Sequence, residues 1–92
     1  MIIISGGTGT PKLIDGLLQL IDIKSEKINI IVNTADDVII SDLYISPDID
    51  TIIYLFLNIL NKETWWGIKN DTFNTYSQLK YFNIHELLKI GD

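Results

Sequence analysis

The sequence predicts an α/β fold, a Rossmann-like parallel sheet with flanking helices. Two observations carry that expectation. "MIIIS" (residues 1–5) and "INIIV" (residues 28–32) are short, β-branched apolar runs, each halted by a polar cluster. Between them Leu13, Ile14, Leu17, Leu18 and Ile21 recur at helical spacing. Strand, helix, strand is a βαβ unit, whose two strands run parallel.

The first strand ends in "SGGTGT", and Pro11, tolerated in a first helical turn, marks the start of the helix. "DIKSEK" (residues 22–27) is a polar connection to the second strand, which stops at Asn33. "VIISDLYI" (residues 38–45) reads as a short extended pair turning at Ser41-Asp42. A second helix starts at "SPDIDT", with Ser46 as N-cap, Pro47 in the first helical position and Asp48 in the first turn. "IIYLFLNIL" is apolar nearly all round and predicts a buried helix. After the aromatic loop "WWGIKNDTF", Asp71-Thr72 is a further helix start, and Phe73, Tyr76, Leu79 and Lys80 follow on that helix. "IHELLKIGD" reads as a short closing helix, and Lys89-Ile90-Gly91-Asp92 as the start of another strand-end loop. A sheet of two or three strands leaves an edge open, so the chain reads as the amino-terminal piece of a longer protein.

Composition narrows the function. With 92 residues, 47% apolar, the chain suits one small domain or part of a larger one. It has no cysteine, hence no disulfide framework and no zinc–thiolate site. The net charge is −5 and all seven basic residues are lysines. Without a basic stripe, neither nucleic acid nor an anionic membrane is an expected partner. No signal-peptide pattern opens the chain, and its longest apolar run is too short to span a bilayer. A soluble, cytoplasmic protein is expected.

In a parallel sheet ligands gather at the carboxyl ends of the strands, where "SGGTGT" and "NTADD" both begin. A Walker A loop fails, because Thr10 and Pro11 precede Lys12 and Leu13 follows it. A dinucleotide fingerprint beginning at Gly7 would require glycine where Lys12 stands. What remains is a generic nest. Gly6, Gly7, Thr8, Gly9 and Thr10 offer N–H and hydroxyl donors to a phosphate, with Lys12 adding charge and Asn33 on the neighbouring strand end. Spacing alone fits a tight strand-to-helix turn equally well.

Asp36, Asp37, Asp48 and Asp50 fall within fifteen positions, in two loops that can meet at one sheet edge. Carboxylates beside phosphates point to Mg²⁺, held by one or two Asp with water and phosphate completing the shell. On a regular helix Asp48 and Asp50 point about 200° apart, so only one of them faces a given site. Asp48 reads equally as a first-turn carboxylate favoured by the helix dipole, and Asp36 as a turn residue. Trp65 and Trp66 cannot both point the same way. They read as core or subunit contacts rather than as a platform for a flat heterocycle. His85 has no metal-ligand partner at a useful spacing and reads as structural.

"SGGTGTPKLIDGL", "VNTADD", "ISPDIDTIIYLF", "WWGIKNDTF" and "LLKIGD", in this order, resemble the 2-phospho-L-lactate transferase (CofD) family of coenzyme F-420 biosynthesis. The likeness covers nearly the whole chain, with Asp42 standing where related chains often carry glycine. It implies that residues 1–92 are the amino-terminal part of a single, longer CofD-like α/β domain whose remainder is absent. It also implies a Mg²⁺-dependent enzyme that moves phospholactate or phosphoenolpyruvate from a guanosine-diphospho donor to the ribityl hydroxyl of the deazaflavin Fo, releasing GMP. Asp50 then matches the residue that contacts Fo and serves catalysis, and Lys89 the basic residue that contacts Fo. The glycine loop and Asp37 match the diphosphate and metal positions. A homodimer is expected at full length. Two other readings differ in class. One is a nucleotide-sugar or dinucleotide-binding regulator of the related gluconeogenesis-factor family, whose members follow the Asp pair with a Gly/Ser-rich turn where this chain has "VIISDLYISPDID". The other is an inactive fragment of the transferase.

Overall fold

The computed structural model describes residues 1–22, 24–84 and 89–92. Strand β1 (Ile2–Ser5) runs into helix α1 (Gly9–Leu18), which returns the chain to strand β2 (Asn29–Val32). The two strands pair in parallel, Ile2 opposite Asn29 and Ser5 opposite Val32. The expected βαβ unit is present, and the register sets both strand ends level. The Asn33 N–H donates to the Ser5 carbonyl at 2.9 Å, extending the ladder by one step into the two polar clusters.

Alternation along the strands decides what they bury. Ile3, Ile30 and Val32 face inward onto a core of Ile14, Ile52, Leu55 and Leu60. Ile2, Ile4 and Ile31 face the other way and are 60–79% exposed. The strands therefore depart from the fully buried pattern read from their composition. Helices α1 and α2 (Pro47–Phe56) contact one another and carry core residues Ile14, Ile52 and Leu55. Helix α2 departs from expectation in the same way: Thr51, Ile52 and Leu55 are buried, whereas Ile53 and Phe56 are exposed. Period 3.6 allows one face of a helix to be covered at a time, whatever its overall hydropathy.

The expected extended pair is an antiparallel hairpin of β3 (Val38–Ile40) and β4 (Leu43–Ile45). Its two loop residues, Ser41 and Asp42, both take positive φ (48° and 61°), as a type I′ turn requires. The hairpin delivers the chain to Ser46, which occupies the N-cap position of α2 although its side chain makes no capping bond. The aromatic loop closes on itself. Leu60 bridges Ile68, the Asn61 N–H donates to the Gly67 carbonyl at 3.0 Å, and Trp65 and Gly67 turn through positive φ.

Helix α3 (Asn74–Tyr81) begins three residues beyond the expected Asp71 and buries none of its residues. Its own N-cap position, Phe73, contributes no side-chain bond. The cap comes from eighteen residues downstream. Asp92 accepts from the N–H groups of Asn74 and Thr75, both at 2.9 Å, and from the Thr72 hydroxyl at 2.7 Å. These donors hold its carboxyl well below the usual carboxylate range. The short helix expected at the end of the chain, and His85 with it, fall on residues outside the described ones.

Left-handed backbone at Asp42 generates a prediction. Asp tolerates that region better than most side chains, but glycine adopts it without a Cβ penalty. Asp42→Gly is expected to stabilise the protein by about 0.5 kcal/mol after allowing for the extra freedom of glycine in the unfolded chain. Asp42→Val is expected to destabilise it by about 1–2 kcal/mol. The midpoints of urea unfolding check both signs.

Candidate functional site

The two polar clusters meet at one carboxylate. Asp48 Oδ2 accepts from the side-chain amide of Asn33 at 3.0 Å and from the Gly7 N–H at 3.4 Å. Asn33 in turn donates to Asp36 at 3.3 Å and accepts from the Ala35 N–H at 3.1 Å. The end of β1, the end of β2 and the first turn of α2 are thereby joined. Gly6 lies alongside Asn33, since a Cβ added at Gly6 would sit 3.6 Å from the Asn33 Cβ.

The glycine loop itself is short. Gly7 takes φ 60°, a conformation that requires glycine, whereas Gly9 is already the first residue of α1 with open space around it. Thr8 is the N-cap residue of α1 without a side-chain capping bond, and Thr10 Oγ1 donates back to the Gly6 carbonyl at 3.4 Å. The free donors of a nest therefore belong to residues 8 and 9, while the Gly7 N–H faces Asp48. Lys12 does not close over the loop: its ammonium stands 5.6 Å from the Trp65 ring centre. Trp65 packs against the core, so the expected core role holds for one tryptophan of the pair.

Trp66 points elsewhere, into a groove of about 510 Å³. Asp50, Tyr54 and Thr51 of α2 form one wall, and Lys89, Gly91 and Asp92 belong to another, with Asp71 beside them. The volume suits a small organic ligand. Burial raises the Asp50 carboxyl above its ordinary range, and the negative charge of Asp37 raises it further. Tyr54 is raised too, by burial first and then by Asp50 and Asp71. Lys89 holds its ammonium 4.0 Å from the Phe73 ring centre and 6.0 Å from that of Tyr76, within cation–π range. Sequence reasoning paired Asp50 with Lys89, and both line this groove.

Asp37 sits beside that groove rather than in the Asp48 cluster. Its Oδ2 accepts from the Tyr44 hydroxyl at 2.8 Å, while Oδ1 is buried without a hydrogen-bond partner. A buried carboxylate oxygen without a donor is a position a hard cation can fill. Among the described residues no three His, Cys, Asp or Glu side chains converge as a metal-binding group, so Asp36, Asp37 and Asp48 do not form one joint set. Asp37 by itself offers an open carboxylate oxygen, a donor compatible with a hard cation that takes one or two protein carboxylates. Tyr44, Asp71 and Asp92 were not legible as site residues. Tyr44 looked like one apolar hairpin position among several, and Asp92 acts across eighteen positions.

Residues 1–87 match the family described as 2-phospho-L-lactate transferase CofD. The chain belongs to that family. It is similar to the 2-phospho-L-lactate transferase of Methanococcus vannielii, 58% identical over 90 residues that cover 98% of this chain and 28% of the relative. The Methanococcus maripaludis strain C5 enzyme is 56% identical over 90 residues, again 98% and 28%. The Methanosarcina mazei enzyme is 52% identical over 92 residues, covering 100% of this chain and 30% of the relative. The chain thus spans less than a third of the length of these CofD relatives. Among the described residues no helix is long and apolar enough to cross a membrane.

The two loop glycines differ in a measurable way. Gly7→Ala places a Cβ on left-handed backbone and is expected to destabilise by about 1 kcal/mol. Gly9→Ala meets no neighbour in a helical position and is expected to stabilise by up to about 1 kcal/mol. Thermal unfolding of the two variants should move in opposite directions.

Proposed function

We propose that this chain supplies the acceptor and phosphate side of a 2-phospho-L-lactate transferase of coenzyme F-420 biosynthesis. The reading has a guanosine-diphospho donor carrying phospholactate or phosphoenolpyruvate. The ribityl hydroxyl oxygen of Fo bonds to the phosphorus of the phosphorylated acid as the bond from that phosphorus to the GMP oxygen breaks, and GMP leaves. The observation that carries it is the groove shared by Asp50 and Lys89, lined by the helix whose first turn reaches the glycine loop through Asp48. Asp50, buried enough to hold a proton more readily than an ordinary carboxylate, is suited to orient the hydroxyl and accept its proton. Lys89 adds positive charge on the far side of the groove. Phosphoryl transfer asks for positioning and charge neutralisation more than for covalent help. The N–H groups at the start of α1 offer the first of these to the donor's phosphates. Mg²⁺, when bound through Asp37, would supply the second. The enzyme is read as cytoplasmic and, at full length, as a homodimer acting on small molecules.

The test is GMP release with donor, Fo and Mg²⁺ by a chain of the relatives' full length carrying this segment. The 92 residues alone are expected to release none, because less than a third of that length is present. Asp50→Asn keeps shape and removes charge, so kcat should fall by about 10²–10⁴-fold with donor affinity nearly intact. Asp37→Asn should instead raise the Mg²⁺ concentration needed for half-maximal rate, because a hard-cation site loses its carboxylate. A Mg²⁺ titration separates the two. Exchanged phenotypes would reverse the roles, and unchanged turnover in both would move the site elsewhere.

A further inference from the structure

One wall of the groove is a stretch whose contacts, among the described residues, are made with a distant part of the chain. Residues 89–92 carry Lys89 into the groove, yet they belong to no helix or strand. Their anchor is the start of α3. Asp92 receives three hydrogen bonds from Thr72, Asn74 and Thr75, and its own N–H donates to the Thr72 carbonyl at 2.8 Å. One residue earlier, Gly91 lies so close to Asp71 that a Cβ there would overlap the carboxylate. Two residues before that, the Lys89 ammonium rests on Phe73, the residue preceding α3. Three successive contacts, a cap, a close backbone approach and a cation–π contact, thus fasten one short segment to residues 71–75. No residue of helix α3 is fully buried, although Tyr76 and Leu79 are half-buried, and these contacts fasten its start.

We propose that Asp92 is a positioning residue of the acceptor side: by capping α3 from a distance, it fixes the wall that carries Lys89 across the groove from Asp50. The proposal rests on the reading of that groove as the place where Fo binds. Asp92 has no need to touch substrate. Its carboxylate is engaged by the helix start, and its effect reaches the ligand through the placement of Lys89. The donor's phosphates, at the glycine loop on the strand edge, lie outside this linkage. Loss of the cap should therefore weaken acceptor use selectively. A capping bond lost from a merely structural site would lower stability and leave the two substrates equally affected.

The experiment uses a chain of the relatives' full length carrying this segment, assayed for GMP release with Fo and the guanosine-diphospho donor varied separately. Asp92→Asn presents an amide to the N–H groups of Asn74 and Thr75 and so breaks part of the cap. It is expected to raise the KM for Fo about tenfold, with the KM for the donor changed less than about twofold, as misplacement of one binding group does. In a Lys89→Gln background the same change should add little, because the residue through which Asp92 acts is already gone. Thr72→Val, which removes one of the three bonds, gives a milder variant should Asp92→Asn fail to fold, and should shift the KM for Fo in the same direction. A second readout follows the contact itself. The Lys89 side-chain protons, shielded by the Phe73 ring, should move toward their unstructured NMR positions in Asp92→Asn. Equal loss for both substrates, an unchanged KM for Fo, or full additivity with Lys89→Gln overturns the proposal while the transferase reading stands. Absence of Fo-dependent transfer in the unaltered chain overturns both.

Discussion

The arrangement of the site turns on a single carboxylate placed where three segments end. Asp48 stands in the first turn of α2, where the helix dipole favours negative charge, and it faces the Gly7 N–H and the Asn33 amide. Those donors are held by the parallel register of β1 and β2, which ends both strands at the same level. The bond from Gly7 is long, so its strength is modest, but its position matters. It ties the start of α2 to the strand edge, and one turn further along that helix Thr51, Ile52 and Leu55 enter the core. Because Asp48 points back at the loop, Asp50 is turned away from it, by the same angular spacing, toward the groove. The division of labour between the two carboxylates follows from helix geometry. Asp48 fastens the loop and Asp50 faces the ligand space.

Much of this was legible in the residues. The hydrophobic runs and the helical spacing between them define the βαβ unit, and "SD" between two apolar triplets marks a turn in which Asp42 tolerates left-handed backbone. The angular separation of Asp48 and Asp50 was legible too, and the resemblance singled out Asp50, the one of the two that lines the groove. Other features were hidden for physical reasons. The one-sided covering of the strands cannot be read from an all-apolar run, since such runs carry no alternation to mark an inner and an outer face. The start of α3 was misplaced because Asp71-Thr72 is a good local cap signal, whereas the cap used is Asp92, whose bond depends on how the chain returns. The role of Asp37 was expected beside Asp36 and Asp48, yet its Oδ2 accepts from Tyr44 and its charge acts on Asp50. Sequence neighbours separated as soon as the turn at Asp36 sent their side chains different ways.

The exposed apolar residues follow the same geometry. Ile2, Ile4 and Ile31 share the outer face of a parallel pair, and parallel sheets ordinarily have both faces covered. Within the described residues only the inner face is packed, by α1 and α2. The CofD relatives are more than three times as long as the segment they share with this chain, so the arrangement seen here accounts for one layer of a larger fold. The glycine loop and Asn33 lie at the carboxyl end of that layer, tied through Asp48 to the helix that lines the groove.

Charge sets the terms on which such an edge can handle phosphates. The chain carries −5 overall, and Asp37, Asp50, Asp71 and Asp92 all lie in or beside the groove, against Lys89 as the one cation among the described residues that line it. Burial first, and this negative charge second, raise Asp50 and Tyr54 above their ordinary ranges. An anionic donor brought to this edge meets repulsion from the carboxylates, which falls with the inverse of distance and is least screened where the groove is closed. Backbone N–H groups at the start of α1 offset part of it without adding a charge. Lys12 contributes little there while its ammonium rests on Trp65. A divalent cation would remove the deficit that remains, and among the described residues Asp37 has a buried side-chain oxygen without a hydrogen-bond partner, the feature on which the metal proposal rests. The surplus of carboxylates at this edge and the proposal of a metal-assisted phosphoryl transfer are therefore linked by charge.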